Sequence, residues 1–577
     1  MKLKTNYSLE PTFNKLAKHP FLTVAAACLI LFFFGFCEKA SITMGSYIYA
    51  GCVLIVISAL LVTLGNIGGN TKEKVIFFAA AAALSIGSLI LIYKFDSSPA
   101  LILWLSVFLL AVITFLMYLT DTLTPRNFVI ILIAAGIILR FVYTLYTSSG
   151  DRQHDVGFWN FTWGHANYIE YWYKNGLKLP DFDVRTIWQY YHPPLHHWLM
   201  AIMLKILMLF NMNYDTACQA LQFLPFLYSS LTIVVCYRIF RIAKLKLLPL
   251  VIAVAIICFH PTFVFMGGFF NNDMLCVLFM MMSIMFALKW YRKPTLINII
   301  PIALSVGLGM MTKLSAWMVA PAIAVIFIYV FVKNIKSAIK YVGQFAVFGC
   351  ICVPLGLWWQ VRNLITFNVP LTYVPYLSNT DAQYCGNMPA VKRLLDFGNG
   401  QLNYVYDAFT SYGAPYNEYN PTLGLIKTSL FDEGHNGITS TTFPQIAITG
   451  PILFWVGAIL AVLCAVAFFI VMLSKKTELD KITRFHFLVF AVTLLGSYYL
   501  FCFQFPFTCT MNIRYCVPLI PMFAMGLGLL LQHCHGDSKK EKLLRYSSCA
   551  LVAAFALMTM IVYSQISIPP VTAPPAG

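Results

Sequence analysis

Charge is scarce in this sequence, and acid is the scarcer half of it. Charged residues make up 11% of 577, with 22 Asp and Glu against 39 Lys and Arg. Soluble domains carry roughly 25% charged residues. With 60% hydrophobic residues and a mean hydropathy of +0.76, a soluble fold has nowhere to hide its apolar surface. The same numbers exclude disorder. Lipid removes the difficulty, because it is itself the apolar phase. No CxxC pair with metal spacing occurs. Most of the 16 cysteines, among them Cys28, Cys52, Cys236, Cys258, Cys350 and Cys464, sit in apolar runs as small apolar residues. Cys502, Cys509 and Cys516 fall near one expected outer surface, where a disulfide is chemically allowed. No internal repeat is visible. No clear small-residue cleavage site follows the first apolar run, near Phe21 to Cys37, and a basic leader (Lys2, Lys4, Lys15, Lys18) precedes it. That run reads as a retained span with the N-terminus cytoplasmic.

What is present is a succession of long apolar runs with basic clusters between them. A span needs about 20 mostly apolar residues. Runs start near Pro20, Met44, Lys74, Ala100 and Asn127, then near Ala217, Leu247, Met274, Leu296, Ala316, Tyr341, Thr449, His486, Pro518 and Leu544. This predicts an all-α polytopic membrane protein of about fifteen spans. The net charge of +17 then reads as positive-inside bias and attraction to anionic lipid rather than as a nucleic-acid surface.

One run decides the topology. If Pro194 to Phe210 spans, four basic clusters fall outside: Arg238 to Lys246, Lys289 to Lys293, Lys333 to Lys340, and Lys475 to Arg484. If it lies at the interface, all four fall inside, as the positive-inside rule demands. His196, His197 and Lys205 suit an interfacial helix. Two long polar loops, 147–193 and 360–448, are then extracytoplasmic, and the Pro-rich tail after Gln565 is read as disordered. The organisation is a four-span extension (1–124), a core (125–535), and a last span with its tail (536–577).

The outer loops hold the candidate chemistry. Phe158, Phe161, His165, Tyr168, Ile169 and Trp172 recur at helical spacing, as in a helix along the membrane or an ordinary aromatic belt. Asp155 stands just after a span and can serve as a general base, with Asp151 as its rival. YHPPLHH supplies His192, His196 and His197 for phosphate, proton or metal. Adjacent histidines cannot share one helix face, so a metal is disfavoured and no cofactor is expected. NND brings Asn272 and Asp273 to another outer end, TKLSA brings Lys313, WWQVRN brings Arg362, and NIRYCVPLIP brings Arg514. Lys313 suits either a phosphate contact or snorkelling. Cations and carboxylates gathered at one face are what an anionic lipid headgroup and a reaction beside it require.

In this order the pieces resemble the GT-C glycosyltransferases, nearest the protein O-mannosyltransferases and the aminoarabinose transferase of lipid A. QHDVG, YHPPLHHWL, His260-Pro261 with NND, TKLSA, WWQVRN, KTSLFDEG (Lys427, Glu433) and RYCVPLIP carry the likeness, from near Ile130 to about Gln532. The resemblance implies a GT-C-like bundle and a polyprenyl-phosphate sugar donor. The acceptor would be an envelope glycopolymer, a lipid or a protein. Asp155 would be the base or acceptor-orienting carboxylate and Asp273 a second acid. Lys313, Arg362 and Arg514 would face the donor phosphate, with His165, His192, His196 and Asn272 at the substrates. The mannosyltransferases pair their acid as Asp-Glu, whereas Val156 follows Asp155 here. The site would open to the outside of a plasma membrane, or to the endoplasmic reticulum lumen in a eukaryote. The rival readings are a transporter and a noncatalytic scaffold; charge gathered at one face and the lack of paired broken helices speak against transport.

Overall fold

The computed structural model describes residues 30–566 except 39–48, 55, most of 59–97, 120, 151–152, 154, 158, 160–162, 399–401, 403–404, 407–417, 434–442, 476 and 535. The spans expected from Pro20, Met44 and Lys74, the basic leader, Asp151, Phe158, Phe161 and the Pro-rich tail lie wholly or partly outside that range.

Helix is the regular structure of the described residues, with one isolated bridge between Tyr384 and Phe507. Nine of the described helices are long and apolar enough to cross a membrane, ten if one bent pair counts as a span. They include Pro99–Leu119, Pro125–Leu145, Asp273–Arg292, Ile446–Leu473 and Lys539–Gln565. Their outward faces carry bare apolar side chains: Ile339 is 90% exposed and Ile365 79%. In water that surface would aggregate; against lipid it is the expected solvent face.

Leu296–Thr312 and Leu519–His533, expected as full spans, have 17 and 15 residues. The first stops where Lys313 turns extended, and the second follows the irregular segment through Arg514. Both shortened helices therefore end or begin beside a cation, Lys313 or Arg514. Leu195–Leu209, the run that decided the topology, also has 15 residues. At 1.5 Å per residue it reaches about 22 Å, short of a hydrocarbon core of about 30 Å. It buries His196, His197, Met200, Leu204 and Leu207 and leaves Ile202, Ile206 and Leu209 exposed, as a helix lying in the interface does.

The bent pair, Leu247–Phe259 and Pro261–Gly268, turns by 51°. Pro261 has no N–H for the Ile257 carbonyl, so the ladder breaks there. Arg140, fully buried on Pro125–Leu145, takes over. Its guanidinium donates to the carbonyls of Ile257 (2.9 Å), Cys258 (2.6 Å) and Gly136 (2.8 Å) and to Ser229 Oγ (2.9 Å). Ser229 Oγ passes a bond to the Phe263 carbonyl beyond the break. A charge that would be costly in apolar surroundings thereby becomes the cap of a broken helix. The break leads the chain through Phe270 and Asn272 into Asp273–Arg292.

Candidate active site

Asp155 sits on a turn fastened to the next helix. Gly164–Lys174 starts after Trp163, which offers no side-chain cap. Its first N–H groups bond instead to the preceding loop, His165 to the Asp155 carbonyl (3.0 Å) and Ala166 to the Val156 carbonyl (2.8 Å). Two glycines allow this approach. Gly157 (φ +65°) and Gly164 (φ +99°) are both left-handed. A Cβ on Gly157 would lie 2.2 Å from the Trp163 carbonyl oxygen, and one on Gly164 2.3 Å from that of Val156. Asp155 itself is left-handed at φ +59°, a strained conformation for a residue with a side chain.

Across from it stands Arg514. One guanidinium nitrogen, Nη1, is 3.0 Å from Asp155 Oδ2; the other, Nη2, is 3.9 Å from Glu433 Oε1. Asn512 ties this side together. Its amide donates to Glu433 (2.9 Å) and, at 3.4 Å, to Asp432, and its oxygen accepts the Arg514 N–H (2.9 Å). Asp432, like Asp155, is left-handed (φ +61°). Burial opposes the Arg514 charge, but Tyr515, Asp155, Glu433 and Asp273 outweigh it and hold its pKa well above the ordinary value.

A second ion pair lies beside the first. Lys313 bonds to Asp273, the first residue of its helix, whose N–H is held by Asn271 Oδ1 (3.2 Å). Asn272 donates to the Thr312 carbonyl (2.8 Å), tying the two chain segments that carry this pair. Lys313 Nζ lies 5.4 Å and the Arg514 guanidinium 5.2 Å from the Tyr515 ring, so one tyrosine adjoins both cations.

Four histidines line the adjoining wall. His165 Nδ1 and His197 Nε2 are 2.8 Å apart, with ring planes within 2°. The His192 ring lies 5.7 Å from that of His165. His196 Nε2 bonds to the Phe270 carbonyl (2.8 Å) and so holds the turn before Asn272. Burial pushes His165, His192 and His197 well below the usual imidazole value, and Lys313 and Arg514 push the first two further. These imidazoles are therefore neutral at physiological pH with one N–H each, and one of His165 and His197 spends its N–H on the other. Among the described residues, no three His, Cys, Asp or Glu side chains form a metal-ligand set. Cys502, Cys509 and Cys516 are free thiols.

Asp155, Asp273, Lys313, Arg514, His165 and His192 thus come together. His196 and Asn272 support the site through backbone carbonyls. Arg362 is placed differently. It bonds to the Pro180 carbonyl and Asn363 Oδ1 and packs 5.3 Å from Trp359 and 4.9 Å from Phe367. With Arg185, which pairs with Asp183 and reaches the Phe367 carbonyl (3.2 Å), it staples the first outer loop to the end of Ala338–Phe367. Lys427 is buried against Glu418. Glu433, Asn512 and Tyr515 were not singled out as site residues. Asn512, two residues before Arg514, stands at a spacing that caps a turn, and Glu433 and Tyr515 stand within KTSLFDEG and RYCVPLIP.

Residues 191–359 match the family model described as dolichyl-phosphate-mannose-protein mannosyltransferase. The matched segment includes His192, His196, Asn272, Asp273 and Lys313 and leaves Asp155, Glu433 and Arg514 outside. Comparison with curated proteins gives no match. Three structures of the Archaeoglobus fulgidus oligosaccharyltransferase are similar at a distance. The apo form has 15% identity and a TM-score of 0.41, over 76% of this chain and 56% of that one. The complex with an inhibitory peptide and a dolichol-phosphate has 14% and 0.42, over 77% and 56%. The complex with Zn and sulfate has 14% and 0.41, over 76% and 53%. This chain spans about half the length of that enzyme, and likenesses so distant carry neither mechanism nor substrate across. Residues 191–359 are thus similar to a mannosyltransferase family, and the long apolar helices are those of an integral membrane protein.

Proposed function

We propose that the protein transfers a sugar from a polyprenyl-phosphate donor to an acceptor at the extracytoplasmic face, with inversion at the anomeric carbon. The observation that carries this reading is the pair of ion pairs, Asp155–Arg514 and Asp273–Lys313, whose cations both adjoin Tyr515. The description of the matched family, which names a dolichyl-phosphate sugar, supports the donor class. Asp155, the most exposed carboxylate of the cluster, takes the proton of the acceptor O–H or N–H. The freed lone pair bonds to the anomeric carbon as the carbon–oxygen bond to phosphate breaks. The departing electron pair stays on the phosphate, whose growing charge Arg514 and Lys313 stabilise. Neutral His165 and His192 offer N–H donors to sugar or phosphate oxygens.

The test is reconstitution with a panel of radiolabelled polyprenyl-phosphate sugars and membrane extract as acceptor. Wild type should transfer label, and Asp155→Asn should lose at least ~10²-fold of the rate. Near-normal transfer by Asp155→Asn would remove Asp155 as the base. Solute movement across sealed vesicles with no covalent product would replace the enzyme by a transporter.

A further inference from the structure

Arg514 has two carboxylate partners that differ in how firmly they are held. Asp155 is 33% exposed and makes the shorter contact from a strained turn. Glu433 is 8% exposed, 3.9 Å away, and bonded to Asn512, the residue that also fixes the Arg514 backbone. Any phosphate that comes to Arg514 competes with a carboxylate for the same N–H groups, and the two Nη groups face different partners. The more exposed partner gives way at lower cost, because water can replace its lost bond.

We infer that the donor phosphate displaces Asp155 from Arg514 while Glu433 keeps the guanidinium in place, so that the carboxylate becomes available to the acceptor only once the donor is loaded. This rests on the transferase reading and adds to it. Glu433 becomes a positioning residue, and Asp155 has two states: counter-ion of Arg514 in the empty site and base in the loaded one. The exchange needs no proton transfer and no further reactant, since one anion replaces another on the same cation. Lys313 differs, because its partner Asp273 is 4% exposed and starts a helix. Lys313 therefore adds charge without releasing a carboxylate. The arrangement protects the reaction from futile use of the base, and it makes Asp155 a competitor of the donor as well as its catalyst.

The sign of one measurement separates this from a purely structural ion pair. Binding of radiolabelled dolichyl monophosphate is measured for the full chain in nanodiscs, in wild type, Asp155→Asn and Glu433→Gln. If the released state of Arg514 is about a tenth populated, removing the competitor tightens binding about tenfold. Glu433→Gln should weaken binding by a similar factor, and both variants should keep the wild-type elution profile. Asp155→Asn binding equally or more weakly, while wild type binds and transfers sugar, overturns the exchange and leaves the transferase standing. Wild type that neither binds dolichyl monophosphate nor transfers sugar overturns both.

Discussion

Two arginines stand in this molecule on opposite terms. Arg140, inside the bundle, is satisfied by three carbonyls and a hydroxyl. Arg514, in a short turn outside the long helices, lies between Asp155 and Glu433. Carbonyl partners belong to helices and cannot leave, so Arg140 holds a break in place. A carboxylate on a side chain can swing away, so Arg514 can change partners. The chemistry of a buried cation is set by how mobile its acceptors are, as much as by how many there are.

The largest test of that contrast removes Arg140. Arg140→Leu orphans several buried acceptors at about 1–3 kcal/mol each. Thermal unfolding in detergent should show a loss of at least ~3 kcal/mol or no recoverable monodisperse protein. Arg514→Gln should behave in the opposite way, folding normally with transfer reduced ~10²-fold or more. An Arg514→Gln protein that unfolds as Arg140→Leu does would erase the distinction.

Acid should separate the two regions next. Burial holds the folded-state pKa of His196 down to about 4, below its ordinary value of 6.5. The unfolded chain then binds the proton first, so this contribution is complete above pH 6.5 and is lost as pH falls toward 4. By pH 5 His196 alone accounts for about 2 kcal/mol. Melting followed between pH 7 and 5 should show the loss, and His196→Asn should reduce it by about that share, because His165, His192 and His197 add losses of the same sign. An unchanged profile in that variant would point to other titrating groups.

The smallest effect is expected at Arg362, read here as a loop staple. Arg362→Ala should leave dolichyl monophosphate binding within about twofold while costing about 1 kcal/mol of stability. A tenfold loss of binding with intact folding would return Arg362 to the phosphate site.

Much of this was legible along the chain. The many apolar helices, the shortness of the Leu195–Leu209 run, and the places of Asp155, Asp273, Lys313 and Arg514 near the ends of apolar runs follow from hydropathy. Arg140 passed unnoticed because one arginine in an apolar run barely changes the average, and its partner carbonyls have no sequence signature. Glu433 lay within a quoted motif but showed no partner. Arg362 looked like Arg514, a cation at an outer helix end, until its neighbours were seen.

By itself, the sequence determined that the chain is a many-helix membrane protein. That property is a local sum, since each residue adds its transfer free energy wherever the chain runs. Only the tertiary structure decided which cation meets which acid. Asp155 and Arg514 are 359 positions apart, and their 3.0 Å contact depends on the packing of every helix between them.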